Sequence, residues 1–182
     1  DIESDTTRDL VYRHGFWVRE GGEGRFVHFL AAGTEPADEK GAFAAAFEFI
    51  RSFDPERMTL YFYSPYEKTA YRRLQAKHPA VASAAEVEAV FAHPNAIDLY
   101  TDVVAKKTDW PLGSYGIKSI AGHIGFRWRD DSPSGALSIK WYNEFVEGGD
   151  AALLERILIY NEDDCRATAA VKDYLQTRMS EL

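Results

Sequence analysis

Residues 159–165, Ile159-Tyr160-Asn161-Glu162-Asp163-Asp164-Cys165, lie in a long helical run near the C-terminus and put a carboxylate where an apolar side chain is expected. At about 100° per residue, Leu153, Ile157, Tyr160, Asp164, Val171 and Leu175 share one stripe. Asp163 falls off that stripe with Glu155 and Arg156, which predicts a solvated Asp163. An ionised carboxylate on an apolar face is costly unless it is paired or bound to a cation. Asp164 is therefore either a buried acid paired with an arginine or a cation ligand, with Tyr160 one turn earlier pointing the same way. The stripe alone leaves both open.

The other end of the chain supplies more acids. Asp1 and Glu3 stand at i and i+2, which on a strand puts both carboxylates on one face. Residues 11–19 and 25–32 are rich in aromatic and branched side chains, and Glu20-Gly21-Gly22-Glu23-Gly24 between them reads as a hairpin turn. Three antiparallel strands thus open the chain. Phe43, Phe47, Ile50 and Phe53 recur at helical spacing and predict a helix over 37–53, and the β-prone run 58–64 that follows predicts a parallel fourth strand. Ser64 reads as the cap of a helix reaching residue 77, which leaves Glu67 in its first turn, at the strand end where open α/β sheets place their sites. Further helices are expected at 84–92, around Ile117 to Ile124, and at 135–146, before the long C-terminal one. A fifth strand is expected near Arg127 or Trp128.

A chain of 182 residues, 46% hydrophobic and 27% charged, is long enough for one domain with a sizeable core, and the expectation is a single domain over 1–182. Asp1 reads as mid-strand, the pattern of a domain excised from a longer polypeptide. No apolar run of membrane-spanning length and no secretory leader is visible. The lone cysteine, Cys165, allows neither an internal disulfide nor a cysteine zinc site, so a reducing cytoplasm is expected. A formal charge of −8 runs against the basic surplus of most nucleic-acid binders, but two bound divalent cations would halve it. Lys68, Arg72, Arg73, Lys77, Lys106, Lys107, Lys118, Arg127 and Arg129 could form a local basic rim, although a solvated face is the plainer account of most of them. His14, His28, His78, His93 and His123 show no paired spacing, which points to packing rather than zinc.

The element order resembles an α/β, RNase H-like fold, a mixed five-stranded sheet with helices on both faces. In that frame Asp1-x-Glu3 and Tyr160-x-x-x-Asp164 look like the first and third motifs of DEDD 3′→5′ exonucleases, of the tyrosine subclass because Ile159 stands where the other subclass has histidine. Tyr63-Ser64-Pro65-Tyr66-Glu67-Lys68-Thr69-Ala70, Asp98-Leu99-Tyr100, Ser114-Tyr115-Gly116-Ile117-Lys118 and the 160–165 run further resemble the RNase H-like domain of predicted RecB-family nucleases, relatives of the YprB group. That resemblance implies metal-dependent phosphodiester cleavage, single-stranded 3′ ends as substrate with DNA favoured over RNA, and a RecB-like nuclease or helicase portion elsewhere in the polypeptide. An endonuclease or flap nuclease on the same centre, and a binding module with a decayed site, are the alternatives.

The chemistry agrees from below. Two divalent ions about 3.5–4 Å apart stabilise both the attacking and the leaving oxygen of phosphodiester hydrolysis, and hard cations such as Mg²⁺ or Mn²⁺ take oxygen ligands. Asp1, Glu3 and Asp164 are the expected ligands, and Tyr160 the group that orients the attacking water. The second motif departs from the pattern: where an Asp is usual, this chain has Glu67, with Asp98 as its rival. Asp98 as a structural helix-start residue is the plainer alternative. Tyr115 and Lys118 could meet a base and a phosphate. Asp5, Asp102 and Asp163 are expected to be peripheral.

Overall fold

The hairpin falls where the glycine-rich turn predicts it: β2 (Leu10–Arg19) and β3 (Gly24–Leu30) pair antiparallel, and β1 (Ile2–Asp5) lies antiparallel on the other edge of β2. The computed structural model describes residues 1–132 and 134–180. After α1 (Pro36–Arg51), β4 (Leu60–Phe62) pairs parallel with β5 (Ala96–Asp98), the connection between them carrying α2 (Tyr66–Lys77) and α3 (Ala84–Phe91). Five strands are present, but as a three-stranded antiparallel ladder and a separate two-stranded parallel one, not as the expected single mixed sheet. The fifth strand is Ala96–Asp98, and the segment around Arg127 and Trp128 is irregular. A strand of three residues is too short to show alternation, which is why it reads from sequence as the start of the next segment.

α1, α2 and α3 cover one side. Phe43 and Phe47, fully buried, pack with Ile50, Ile2, Val11, Tyr71 and Leu74 in one cluster, each such side chain contributing roughly 1.5–3 kcal/mol by leaving water. α1 starts on Pro36 behind a capping box of Glu35 and Asp38. The start of α2 differs from expectation. Pro65, not Ser64, occupies the cap position, and Ser64 sits at φ 121°, a conformation costly for a residue with a Cβ. Its N–H donates to Asp98 Oδ1 at 3.1 Å, which holds the turn leading into α2.

A π-helical turn (Leu99–Val104) runs into the short α4 (Ala105–Lys107); α5 (Ile117–His123), α6 (Gly135–Gly148) and α7 (Ala151–Ser180) then form the other side. Ile157 and Tyr160 of α7 join Tyr12, Trp141 and Tyr142 in one apolar cluster, while its Ala167, Val171 and Leu175 join Tyr63, Leu99, Trp110 and Ile120 in another. Between the two clusters α7 presents Asn161, Asp163, Asp164 and Cys165, all buried. The polar stretch at 161–165 is thus the seam between two cores. No helix among the described residues is long and apolar enough to cross a membrane.

Candidate active site

A register step in the first ladder builds the floor of the seam. β1 and β2 pair Glu3 with Arg13 and then Ser4 with Val11, passing over Tyr12. Such a bulge reverses the alternation of faces. Tyr12 and Arg13 both turn toward α6 and α7: the Tyr12 ring stacks on Tyr142 at 4.1 Å, its hydroxyl meets Ser138 Oγ at 2.7 Å, and Arg13 Nε donates to Asn161 Oδ1 at 3.1 Å. Val11 and His14 turn the other way, toward α1 and Tyr71.

Gly15 lets α7 come down on this floor. A Cβ there would stand 1.9 Å from Asn161 Oδ1 and 3.1 Å from Cys165 Sγ, so only glycine admits the helix. With α7 in place, Asn161 Nδ2 donates to Asp1 Oδ2 at 2.5 Å. The Arg13 bond to its Oδ1 fixes which way the amide faces. Oxygens of Asp1, Glu3 and Asp164 then lie within 4.8 Å of one another, the one group of potential metal ligands that converges among the described residues.

Asp164 is fastened from the far side. Trp128 Nε1 donates to its Oδ1 at 2.7 Å, and Lys118 Nζ lies 3.6 Å from its Oδ2 while donating to the Tyr160 hydroxyl at 2.9 Å. Trp128 is itself held by its neighbour Arg129, whose N–H and Nε donate to the two Asp163 oxygens at 2.7 and 2.8 Å. Asp163 is therefore not solvated as its helical phase predicts: it is 1% exposed and anchors the loop that caps Asp164. Asp5, expected at the periphery, is fully buried and accepts from Thr7 and Arg8, whereas Asp102 is exposed and pairs with Lys106.

The electrostatics follow from burial and crowding. The Glu3 carboxyl is pushed up to about 8 by burial and by the Asp164 charge, with Lys118 and Arg13 pulling the other way. Burial, then Asp164 and Glu3, raise the Tyr160 hydroxyl far above its ordinary range, so it stays protonated at neutral pH. Arg13 is drawn down to about 10 by burial, with Glu3 opposing, and remains a cation beside the cluster. Its Nη1 and Nη2 have no hydrogen-bond partner among the described residues.

Glu67 and Asp98 differ in what holds them. Asp98 Oδ1 accepts the N–H groups of Ser64 and Thr101, at 3.1 and 2.9 Å, the helix-start role set against it in the sequence. Glu67 is 9% exposed, its Oε2 is buried without a hydrogen-bond partner among the described residues, and burial raises its pKa, with the Asp98 charge adding to the shift. It is not one of the three acids whose oxygens converge. Tyr115 spends its hydroxyl on Trp110 N at 3.1 Å and Asp109 Oδ1 at 2.9 Å, and its ring packs on the cluster around Tyr63. Much of the anticipated basic rim is engaged: Arg72 with Glu88, Arg73 and Lys77 with Asp9, Lys106 with Asp102, Arg129 with Asp163. The histidines form no metal cluster among the described residues. His14 contacts Tyr71 and His78 contacts Glu39, while burial takes His14 down to about 3.

The family profile of the RNase H superfamily matches residues 1–176. The chain belongs to the RNase H superfamily. No curated protein and no solved structure gives a match. The RNase H superfamily fold is a nuclease-type fold, of hydrolases that act on nucleic acid and typically use divalent metals. In this member the acids at the two ends of the matched span, Asp1 and Glu3 on one side and Asp164 on the other, are those brought face to face.

Proposed function

We propose that this RNase H superfamily domain is a metal-dependent nuclease of the DEDD tyrosine type, which removes nucleotides from the 3′ ends of single strands. The observation that carries the proposal is the convergence of Asp1, Glu3 and Asp164 within 4.8 Å, with the Tyr160 hydroxyl held by the same lysine that faces Asp164. The donor set fits hard cations: three carboxylates converge, those of Glu3 and Asp164 buried, and a fourth, Glu67, keeps an oxygen buried with no hydrogen-bond donor among the described residues. Such crowding is unfavourable until positive charge enters. Asp1, Glu3 and Asp164, with Glu67 as the fourth carboxylate, would hold two Mg²⁺ or Mn²⁺ ions, which when bound stabilise charge on the attacking and leaving oxygens. Asn161 fixes Asp1, Trp128 fixes Asp164, and the protonated Tyr160 hydroxyl orients the attacking water. The resemblance to RecB-family, YprB-related domains favours DNA over RNA and a nuclease or helicase neighbour in the full polypeptide.

The test is a Mn²⁺ titration by calorimetry, for the wild type and Glu67→Gln, beside gel analysis of a 5′-labelled single strand. Two-site binding with stepwise shortening from the 3′ end is expected, and Glu67→Gln should weaken binding. Internal fragments appearing first would make the enzyme an endonuclease. Strand binding without any cleavage at saturating Mn²⁺ would make it a binding module. Unchanged Mn²⁺ affinity in Glu67→Gln would remove Glu67 from the centre.

A further inference from the structure

Beside Asp164 a groove of about 390 Å³ opens between α5 and the loop that follows it, walled by Lys118, Phe126, Arg127 and Trp128 with Asp130 and Asp131 at its end. Its volume is that of a small-ligand cleft. The chain reaches this shape because Gly125, two residues past the end of α5, has a φ of 96° that turns the backbone so that Phe126 N–H caps the Ala121 carbonyl at 2.9 Å. Past that turn Phe126 and Trp128, two residues apart, meet edge to face with centroids 4.9 Å apart. Both are only partly buried. Trp128 is joined to the carboxylate cluster by its bond to Asp164, and Lys118 lies over its ring at 5.7 Å.

The charges around these rings are unevenly matched. Arg127 donates from Nη1 to the Gly122 and Phe126 carbonyls, so its guanidinium is pinned to the groove wall, and no carboxylate pairs with it among the described residues. Asp130 is taken by Arg156, which reaches both its oxygens at 2.5 and 3.2 Å, whereas Asp131 has no such bond among the described residues. The groove therefore offers partly exposed aromatic surface from two rings and two cations beside the site. Base stacking on aromatic side chains beside cations that meet phosphates is how single strands are held without regard to sequence. A base inside a duplex has no free face to offer.

We propose that this groove is a stacking subsite for the unpaired nucleobase next to the bond to be cut, with Phe126 and Trp128 as its platform and Arg127 as its phosphate contact. The assignment rests on the nuclease reading for what lies next door, and it makes unpaired strands the substrate class. It is tested with a short oligodeoxynucleotide carrying 2-aminopurine at the 3′ terminus, the next position or the 5′ terminus, titrated into wild-type protein with EDTA, beside the same strand in a blunt duplex. A fluorescence change at a single end position, and tighter binding of the single strand than of the duplex, are expected. Phe126→Ala should abolish the change and weaken binding about 5- to 100-fold. Phe126→Leu keeps most of the packing but not the π-face and should do the same, which covers the case in which the alanine variant fails to fold. Arg127→Ala, at an exposed position, should weaken binding several-fold without removing the fluorescence change.

Equal affinities in wild type and a folded Phe126→Leu, or a 2-aminopurine signal indifferent to position, would overturn the subsite. Cleavage of an unlabelled strand with Mn²⁺ is scored in parallel. Cleavage with a silent probe sinks the subsite alone, whereas a responsive probe without cleavage keeps the subsite and sinks the hydrolytic reading.

Discussion

Glu39 and Asp164 are both buried acids on helices, on opposite sides of the strands, and they differ in what surrounds them. Glu39 Oε1 accepts the Val11 N–H at 2.7 Å, and its Oε2 meets Lys77 at 2.7 Å and His78 at 2.8 Å. Burial alone pushes its carboxyl up, but the bonds from Lys77, Val11 and His78 outweigh that and hold it below the ordinary range. Around Asp164 the company is different: two further carboxylates stand within 4.8 Å, and of its own oxygens one accepts from Trp128 Nε1 at 2.7 Å and the other faces Lys118 at 3.6 Å. A structural acid is surrounded by donors. An acid among acids, beside a Glu67 oxygen that has no hydrogen-bond partner among the described residues, fits the metal reading proposed above.

The largest effects separate the two acids cleanly. Asp164→Asn should cut hydrolysis by roughly 1,000-fold or more, because it removes a ligand charge while keeping the side-chain volume. It should also erase the rise in thermal midpoint that Mn²⁺ gives the wild type, a stabilisation of about 2.7 kcal/mol at a hundredfold excess over the dissociation constant. In EDTA the variant and the wild type should melt within a few degrees of each other. A variant that keeps the Mn²⁺ shift would show that the three acids do not act as one site.

Glu39→Ala should do the reverse. It leaves the buried His78 and the Val11 N–H without their carboxylate, while Lys77 keeps Asp9, and should cost about 1–3 kcal/mol, while turnover per folded molecule stays unchanged. Since the folded-state pKa of Glu39 is depressed, its stabilisation is present above the ordinary carboxylate range and is lost as pH falls through the folded value. Denaturant midpoints should therefore fall more steeply with acid in the wild type than in Glu39→Ala. Parallel curves would remove Glu39 as the source.

Within the site, two neighbours on α7 should separate chemistry from support. Tyr160→Phe should slow turnover about 10- to 1,000-fold with Mn²⁺ affinity unchanged, as for a lost positioning contact. Asn161→Ala frees the Asp1 carboxylate and should weaken Mn²⁺ about 10- to 100-fold, the usual cost of losing a ligand's supporting bond. Calorimetry that assigned the affinity loss to Tyr160→Phe and not to Asn161→Ala would exchange the two roles.

These neighbours also mark where sequence stopped being legible. Asp1, Glu3, Tyr160 and Asp164 were readable because each belongs to a local period, i and i+2 on a strand or i and i+4 on a helix. Asn161 obeys no such period toward Asp1, 160 residues away, although Gly15 inside a β-rich run was a usable sign that something packs close there. Asp163 was misplaced because one apolar stripe assumes one buried face, whereas α7 is covered both by the strands and by the loop at Arg129. Trp128 carried no local sign at all, since its contact depends on how a polar connection returns after Gly125. The first four strands were legible, whereas the place of the fifth and the division into two ladders were not, because β4 and β5 are three residues each.

The smallest effect decides between the two candidates for the second motif. Asp98 Oδ1 accepts the N–H groups of Ser64 and Thr101, so it holds together the strained turn before α2 and the start of the π-helical turn. An asparagine can present the same carbonyl oxygen to both donors. Asp98→Asn should therefore cost no more than about 1 kcal/mol, the scale of a weakened helix-start contact, and should leave Mn²⁺ affinity as it was. Asp98→Ala removes the oxygen, frees Ser64 from its left-handed geometry and shifts the first turn of α2, so it should disturb the metal site through Glu67 as well as lowering the melting point. An asparagine variant that is stable yet has lost Mn²⁺ binding would mean that the charge of Asp98, and not its oxygen, is what the site uses, and Glu67 would then join Glu39 as an acid of the fold.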